Sequence, residues 1–302
     1  MIRQLLRICL LALCLGIGLP SHTQASVSVI YQPLRTHMHI DEAAWRPLFA
    51  RLRAQGIDTL VFQWTQHDDA FSTGDEAAWL QRRVADATAA DLNLILGLSA
   101  DSDTFQRLQQ PDAVLPAYFR KIREKDRALV HRWQALVPPE RLIGWYLTLE
   151  IDDKRWRTPT AQAALTNYLR HTRNDIDAVQ VMPRPLYISS FFTGQMTPPR
   201  YAQLLAELHG ATGVRLWVQD GRGPGLLNAI ERQAYLSALT QCLAPVIQGI
   251  IYEAFRQVPH HTASESSFRA VPLSATEQTR LLKTRAPCRL DTGFFGLNYL
   301  GL

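Results

Sequence analysis

Two glutamates in this chain each follow an apolar run. Leu142 to Asp153 reads LIGWYLTLEIDD and delivers Glu150, then Asp152 and Asp153. Val246 to Phe255 reads VIQGIIYEAF and delivers Glu253. A carboxyl that ends a run of this kind belongs to the end of a buried strand rather than to an open surface. Two such groups facing each other suit glycoside hydrolysis. One protonates the leaving oxygen, and the other attacks the anomeric carbon or activates water. The competing reading makes each glutamate a buried structural carboxylate, paired with an arginine such as Arg155 or Arg256.

Other strand ends add groups that bond or stack on sugars. Gln63, Asp152, Gln219 and Asp220 offer amides and carboxylates for hydroxyls, and Trp64, Trp217 and Tyr252 offer rings for pyranose faces. Trp145, Tyr146 and Trp156 are further stacking candidates, although strand alternation sends about half of such rings into the core. His37 and His39 form an H-x-H near the end of the first strand, as in metal-dependent barrel hydrolases. The matching later positions hold Ser189-Ser190 and Gln219-Asp220 instead of histidines, and two histidines alone rarely fix a catalytic metal. No cofactor is expected. His260 and His261 read as a solvated loop. The chain has no G-x-S-x-G elbow, no phosphate-binding glycine loop and no C-x-x-C.

These groups need a scaffold that brings strand ends together. Val27 to Leu34, Ile57 to Trp64, Leu92 to Leu98, Leu142 to Asp153, Leu186 to Phe192, Val214 to Gln219 and Val246 to Phe255 read as seven strands. Phe294 to Leu300 is a weaker, glycine-containing eighth. Asp177 to Met182 is also strand-like and leaves the register of the fifth strand open. Helical patterns lie between the strands. Asp41 caps one that carries Trp45, Leu48, Phe49 and Leu52 on one face, and Pro116, Pro159 and Pro198 sit near the starts of three others. A sixth runs through Tyr235, Leu239 and Leu243, and Ser274 with Glu277 makes a capping box for the last. Strands alternating with helices imply parallel pairing, and the length fits a single (β/α)8 barrel, an α/β TIM barrel over residues 26–302. An open doubly wound sheet is the runner-up. It would carry a glycine-rich turn after the first strand to bind dinucleotides, where this chain has Arg35-Thr36-His37-Met38-His39.

Residues 1–25 read as a signal peptide: Arg3 and Arg7, a short apolar run from Leu10 to Leu19, then small residues before Ala25. The expected location is the periplasm or the medium, with no stable membrane insertion after cleavage. The formal charge of +5 falls by two with Arg3 and Arg7, and nucleic-acid binding has no support beyond the mild basicity that remains. Cys242 and Cys288 then remain, and they can pair as a disulfide or stay as two buried thiols.

IDTLVFQWT, GWYLTLEIDD, LYISSFF, LWVQDG and IIYEAF, in this order behind a signal peptide, resemble the bacterial secreted family called domain of unknown function 4434. That resemblance covers nearly all of the chain and implies a glycoside-hydrolase-like TIM barrel. Glu150 on strand four and Glu253 on strand seven are also similar to the pair of clan A retaining glycosidases. The similarity implies Glu150 as acid/base and Glu253 as nucleophile. That clan places Asn before the strand-four glutamate, whereas this chain has Leu149. The expected substrate is an exopolysaccharide or cell-envelope glycan. The alternative is a non-catalytic carbohydrate-binding barrel that serves polysaccharide synthesis or export machinery.

Overall fold

The computed structural model describes residues 25–259 and 268–300. The expected signal segment, apart from its last residue, and His260 and His261 lie outside these. Eight parallel strands close into a barrel. They are β1 (Val27–Tyr31), β2 (Thr59–Phe62), β3 (Asn93–Gly97), β4 (Leu142–Asp152), β5 (Leu186–Phe191), β6 (Arg215–Gln219), β7 (Gly249–Glu253) and β8 (Asp291–Phe295). Each strand pairs with the next, and β8 pairs with β1.

Seven helices follow the strands on the outside: α1 (Glu42–Ala54), α2 (Gly74–Ala89), α3 (Leu115–Gln134), α4 (Pro159–Asp177), α5 (Pro198–Thr212), α6 (Ala229–Leu239) and α7 (Ala275–Leu282). Their ends are set by local chemistry. The Asp41 carboxylate accepts the Ala43 N–H at α1, and the Thr158 hydroxyl accepts the Ala161 N–H at α4. Reciprocal capping boxes open α6 at Asn228 and α7 at Ser274. Gly213, at φ +66°, ends α5 in the left-handed conformation. Among the described residues no helix is long and apolar enough to cross a membrane.

Strand alternation divides the apolar residues into two layers. Outward-facing Leu60, Leu94, Leu147, Ile188, Leu216 and Ile250 pack against the helices. Inward-facing Ile30, Val61, Ile95, Tyr146, Tyr187, Trp217 and Ile251 form a separate cluster inside the barrel. That inner cluster is a plug. It leaves the C-terminal mouth as the place where inward side chains meet solvent.

Three details differ from the sequence reading. The eighth strand is Asp291–Phe295, not Phe294 to Leu300, and Leu297–Tyr299 forms a 3-10 turn beyond it. Asp177 to Met182 is no strand: α4 runs to Asp177 and a turn follows. Leu243 lies past the end of α6 and is fully exposed. Elements that were not expected also crowd the mouth. They are an antiparallel hairpin of Phe255–Pro259 with Phe268–Pro272, a short parallel pair of Gln66–His67 with Ser99–Ala100, and a one-turn helix at Thr104–Leu108. Cys242 and Cys288 are joined by a disulfide with Cα atoms 5.0 Å apart.

Candidate active site

The same alternation that plugs the barrel builds the site two residues further along each strand. Val61 is followed inward by Gln63, Trp217 by Gln219, and Ile251 by Glu253. On β4 the inward series is Tyr146, Thr148 and Glu150. A register irregularity between Leu147 and Ile151 sets Thr148 to Glu150 against Ser189 alone of β5, a bulge that re-aims β4 where Glu150 enters the mouth. These residues line a cleft of about 550 Å³ at the C-terminal face. Trp64, Phe105 and residues of the hairpin complete its wall.

Glu150 and Glu253 both open into this cleft. Glu150 is partly exposed and accepts hydrogen bonds on Oε1 from the Gln219 amide and, at 3.3 Å, from the Ser189 hydroxyl. Tyr146 donates in turn to Ser189 Oγ at 2.7 Å and fixes that hydroxyl. Burial pushes the Glu150 carboxyl up, the two donors oppose that rise only in part because they favour the ionised form, and the Asp152 carboxylate adds a smaller push.

Glu253 has different surroundings. It is 1% exposed, and its Oε2 accepts the Gly223 N–H at 2.6 Å. Asp220, one residue beyond β6, sits beside it and accepts the Glu253 and Arg222 N–H groups on Oδ1. Burial, and then the neighbouring Asp220 carboxylate, push Glu253 up to about 8. Asp220 is also raised by burial, with the Arg222 guanidinium at 3.6 Å opposing the shift. Two buried carboxyls in contact hold one proton between them. The arginine favours charge on Asp220, which biases the shared proton toward Glu253.

Two glycines allow this packing. A Cβ on Gly97 would lie 2.0 Å from the Gln63 carbonyl oxygen, so only glycine lets β3 pass the end of β2. A Cβ on Gly223 would meet the Phe255 ring at 2.7 Å and Glu253 Cδ at 3.0 Å. Gln63 is 9% exposed, and its buried Oε1 has no hydrogen-bond donor among the described residues, which leaves it as an acceptor facing the cleft. Trp64 is held by its Nε1 donating to the Pro33 carbonyl at 3.0 Å and by stacking on His67 at 4.7 Å.

Of the residues singled out in the sequence, Glu150, Glu253, Gln63, Trp64 and Gln219 therefore share one cleft, with Asp220 behind Glu253. The others lie elsewhere. Trp217 has the inward parity of Gln219 but sits a layer deeper, against Tyr187 at 4.7 Å in the plug. Tyr252 has the opposite parity to Glu253, so it faces outward and packs near Phe294 at 6.4 Å. The Asp152 carboxylate turns back onto the Lys154 and Arg155 N–H groups and lines a neighbouring groove. Trp145 and Trp156 are buried in the outer layer, and Tyr146 is in the plug. Asp153 accepts the N–H groups of Thr193, Gln195 and Met196 and pins the loop after β5. Among the described residues neither glutamate is paired with arginine: Arg155 bonds Asp112, and Arg256 bonds Glu277. His37 Nδ1 is bonded to the Tyr31 hydroxyl at 2.9 Å. Among the described residues no three His, Cys, Asp or Glu side chains converge as a metal site. The sequence reading missed Thr148, Phe105 and the Gly223 N–H. Parity with Glu150 would have found the first.

The barrel is similar in fold to solved structures. The chain superposes on a protein from Bacteroides thetaiotaomicron VPI-5482 assigned provisionally as an alpha-L-fucosidase, with a TM-score of 0.65 and 14% identity over 96% of this chain and 91% of that one. Xylanase B from Clostridium stercorarium F9 aligns at a TM-score of 0.49 and 14% identity, over 90% and 86% of the two chains. At these identities the likeness is one of fold. In sequence, the uncharacterized protein YbcH of Escherichia coli (strain K12) is 38% identical over 277 residues, which is 91% of this chain and 90% of that protein. Residues 28–295 match the family described as a domain of unknown function (DUF4434), and the chain belongs to that family.

Proposed function

We propose that this protein is a glycoside hydrolase that uses Glu150 and Glu253 as its two carboxyls. The observation that carries the reading is their placement: from β4 and β7, both open into one cleft that also presents amides and an indole. The surroundings rank the pair. Glu253 holds a proton at neutral pH and acts as the donor to the leaving oxygen. Glu150, bonded by Gln219 and Ser189, acts as the carboxylate that attacks the sugar or activates water. This order reverses the one implied by clan A glycosidases, and the reason is Asp220, which stands beside Glu253 rather than Glu150. Gln63 and Gln219 bond sugar hydroxyls, and Trp64 supplies a stacking wall.

The proposed substrate is an exopolysaccharide or cell-envelope glycan, met in the periplasm or the medium as the N-terminal pattern suggests. The test is reducing-end release from a panel of such glycans by wild type, beside Glu150→Gln and Glu253→Gln. Release by wild type that both variants lose supports hydrolysis. Release that survives both substitutions sinks the assignment. Binding without release by any of the three favours the non-catalytic barrel of a synthesis or export assembly.

A further inference from the structure

A second groove, of about 750 Å³, adjoins the cleft. The two share Phe105, Phe191 and Thr193 in their walls, so they form one continuous depression across the barrel mouth. Phe105, on the one-turn helix at Thr104–Leu108, stands at the junction with 54% of its surface exposed. An aromatic ring left in solvent at such a place is a platform for a sugar face.

The groove differs from the cleft in charge. Lys154, Arg155 and Arg157 line it together with Asp112 and Asp152. Arg155 is bonded to Asp112, and Asp152 is spent on two backbone N–H groups. Lys154 and Arg157 are exposed, and neither forms an ion pair among the described residues. The Arg157 Nε bonds only the Lys154 carbonyl, at 3.0 Å, which holds the two side chains on one short turn. The N-terminus of α4 begins directly after them, at Thr158, with no acidic residue in its first turn. Its dipole adds to the positive potential. The cleft, by contrast, holds carboxyls.

We infer that the substrate is an anionic glycan. A chain whose reacting sugar occupies the cleft crosses Phe105 and lays a carboxylate-bearing sugar in the groove against Lys154 and Arg157. This rests on reading the cleft as a sugar site, and it adds the charge of the substrate and a polymer long enough to reach past the junction. The cations bind the glycan away from the scissile bond, so they act on affinity rather than on the chemical step.

The test measures binding in a chain that does not turn over. Glu253→Gln is titrated with oligomers of alginate, polygalacturonate and hyaluronate, each beside its carboxyl-reduced counterpart, at low and high salt. The expected result is tighter binding of the charged member in at least one pair, weakened by salt. Adding Lys154→Gln and Arg157→Gln reduces that affinity by about ten-fold, as expected for two exposed charge contacts, while Lys154→Arg preserves it. No preference for charge in any pair, or a preference that the double substitution leaves intact, overturns the inference. Because binding is read without cleavage, failure of wild type to release sugar strikes the hydrolase reading alone.

Discussion

Glu150 and Glu253 stand at matching ends of β4 and β7, reached by the same strand alternation, yet their neighbours are opposite in kind. Glu150 meets two neutral donors. Glu253 meets a second carboxyl and one backbone N–H. Strand position puts a carboxyl at the barrel mouth, and what stands next to it decides whether it carries a proton. In the proposed hydrolysis, the division of labour between acid and carboxylate would therefore rest on Gln219, Ser189 and Asp220, and not on the glutamates themselves.

The largest expected effect comes from removing either carboxyl. Glu150→Gln and Glu253→Gln should each reduce sugar release by about 10²–10⁴-fold, the usual range for a lost acid or base. The next prediction separates their roles. On a dinitrophenyl glycoside of the released sugar, whose leaving group needs no proton, Glu253→Gln should recover to within about ten-fold of wild type while Glu150→Gln stays inactive. Recovery in Glu150→Gln instead would restore the order implied by clan A enzymes.

Asp220 is tested by pH. An acid works only while protonated, so kcat/KM should be present below about pH 8 and fall as pH rises through the Glu253 value. Asp220→Asn removes the facing carboxylate and should move that alkaline limb down by roughly 1–2 units. An unmoved limb would mean that Asp220 does not set the proton.

The smallest effect is on stability. A carboxyl raised in the fold above its ordinary value of 4.5 contributes its full stability below that value and loses it as pH rises through about 8. Glu253→Gln should therefore melt above wild type at pH 9, by roughly 2–4 °C for each kcal/mol relieved, and show a flatter profile from pH 5 to 9. Parallel melting profiles of variant and wild type would contradict a strained Glu253.

Much of this was legible in the sequence, because apolar runs that end in polar residues mark both the strands and their C-terminal ends. Depth and parity account for most of what was misplaced. Trp217 and Gln219 share a face of β6, but nothing local says that the first belongs to the plug and the second to the cleft. Tyr252 and Glu253 are adjacent and cannot both face inward, so counting parity back from the glutamate would have excluded the tyrosine. Asp152 has the parity of Glu150 but lies past the rim, where backbone N–H groups claim it. The eighth strand was shifted because Gly293 and Gly296 flank its two phenylalanines and blur its apolar run. Phe105 carried no signal, since its place depends on how a short helix folds over the mouth.

The pairing of β8 with β1, which sets Thr292 opposite Val27, also dictates when the molecule can be finished. The first strand waits with a bare edge through almost the whole of synthesis, and β7 waits with another until Asp291 to Phe295 has emerged. Contacts so distant in sequence form late, after the local helix and strand units are in place. The Cys242–Cys288 bond draws the segment just ahead of β8 back to the end of α6, close to where the missing strand must dock. A chain cut before Asp291 is therefore not a smaller barrel. It is an open sheet with two unpaired edges, the geometry by which nascent chains stick to one another.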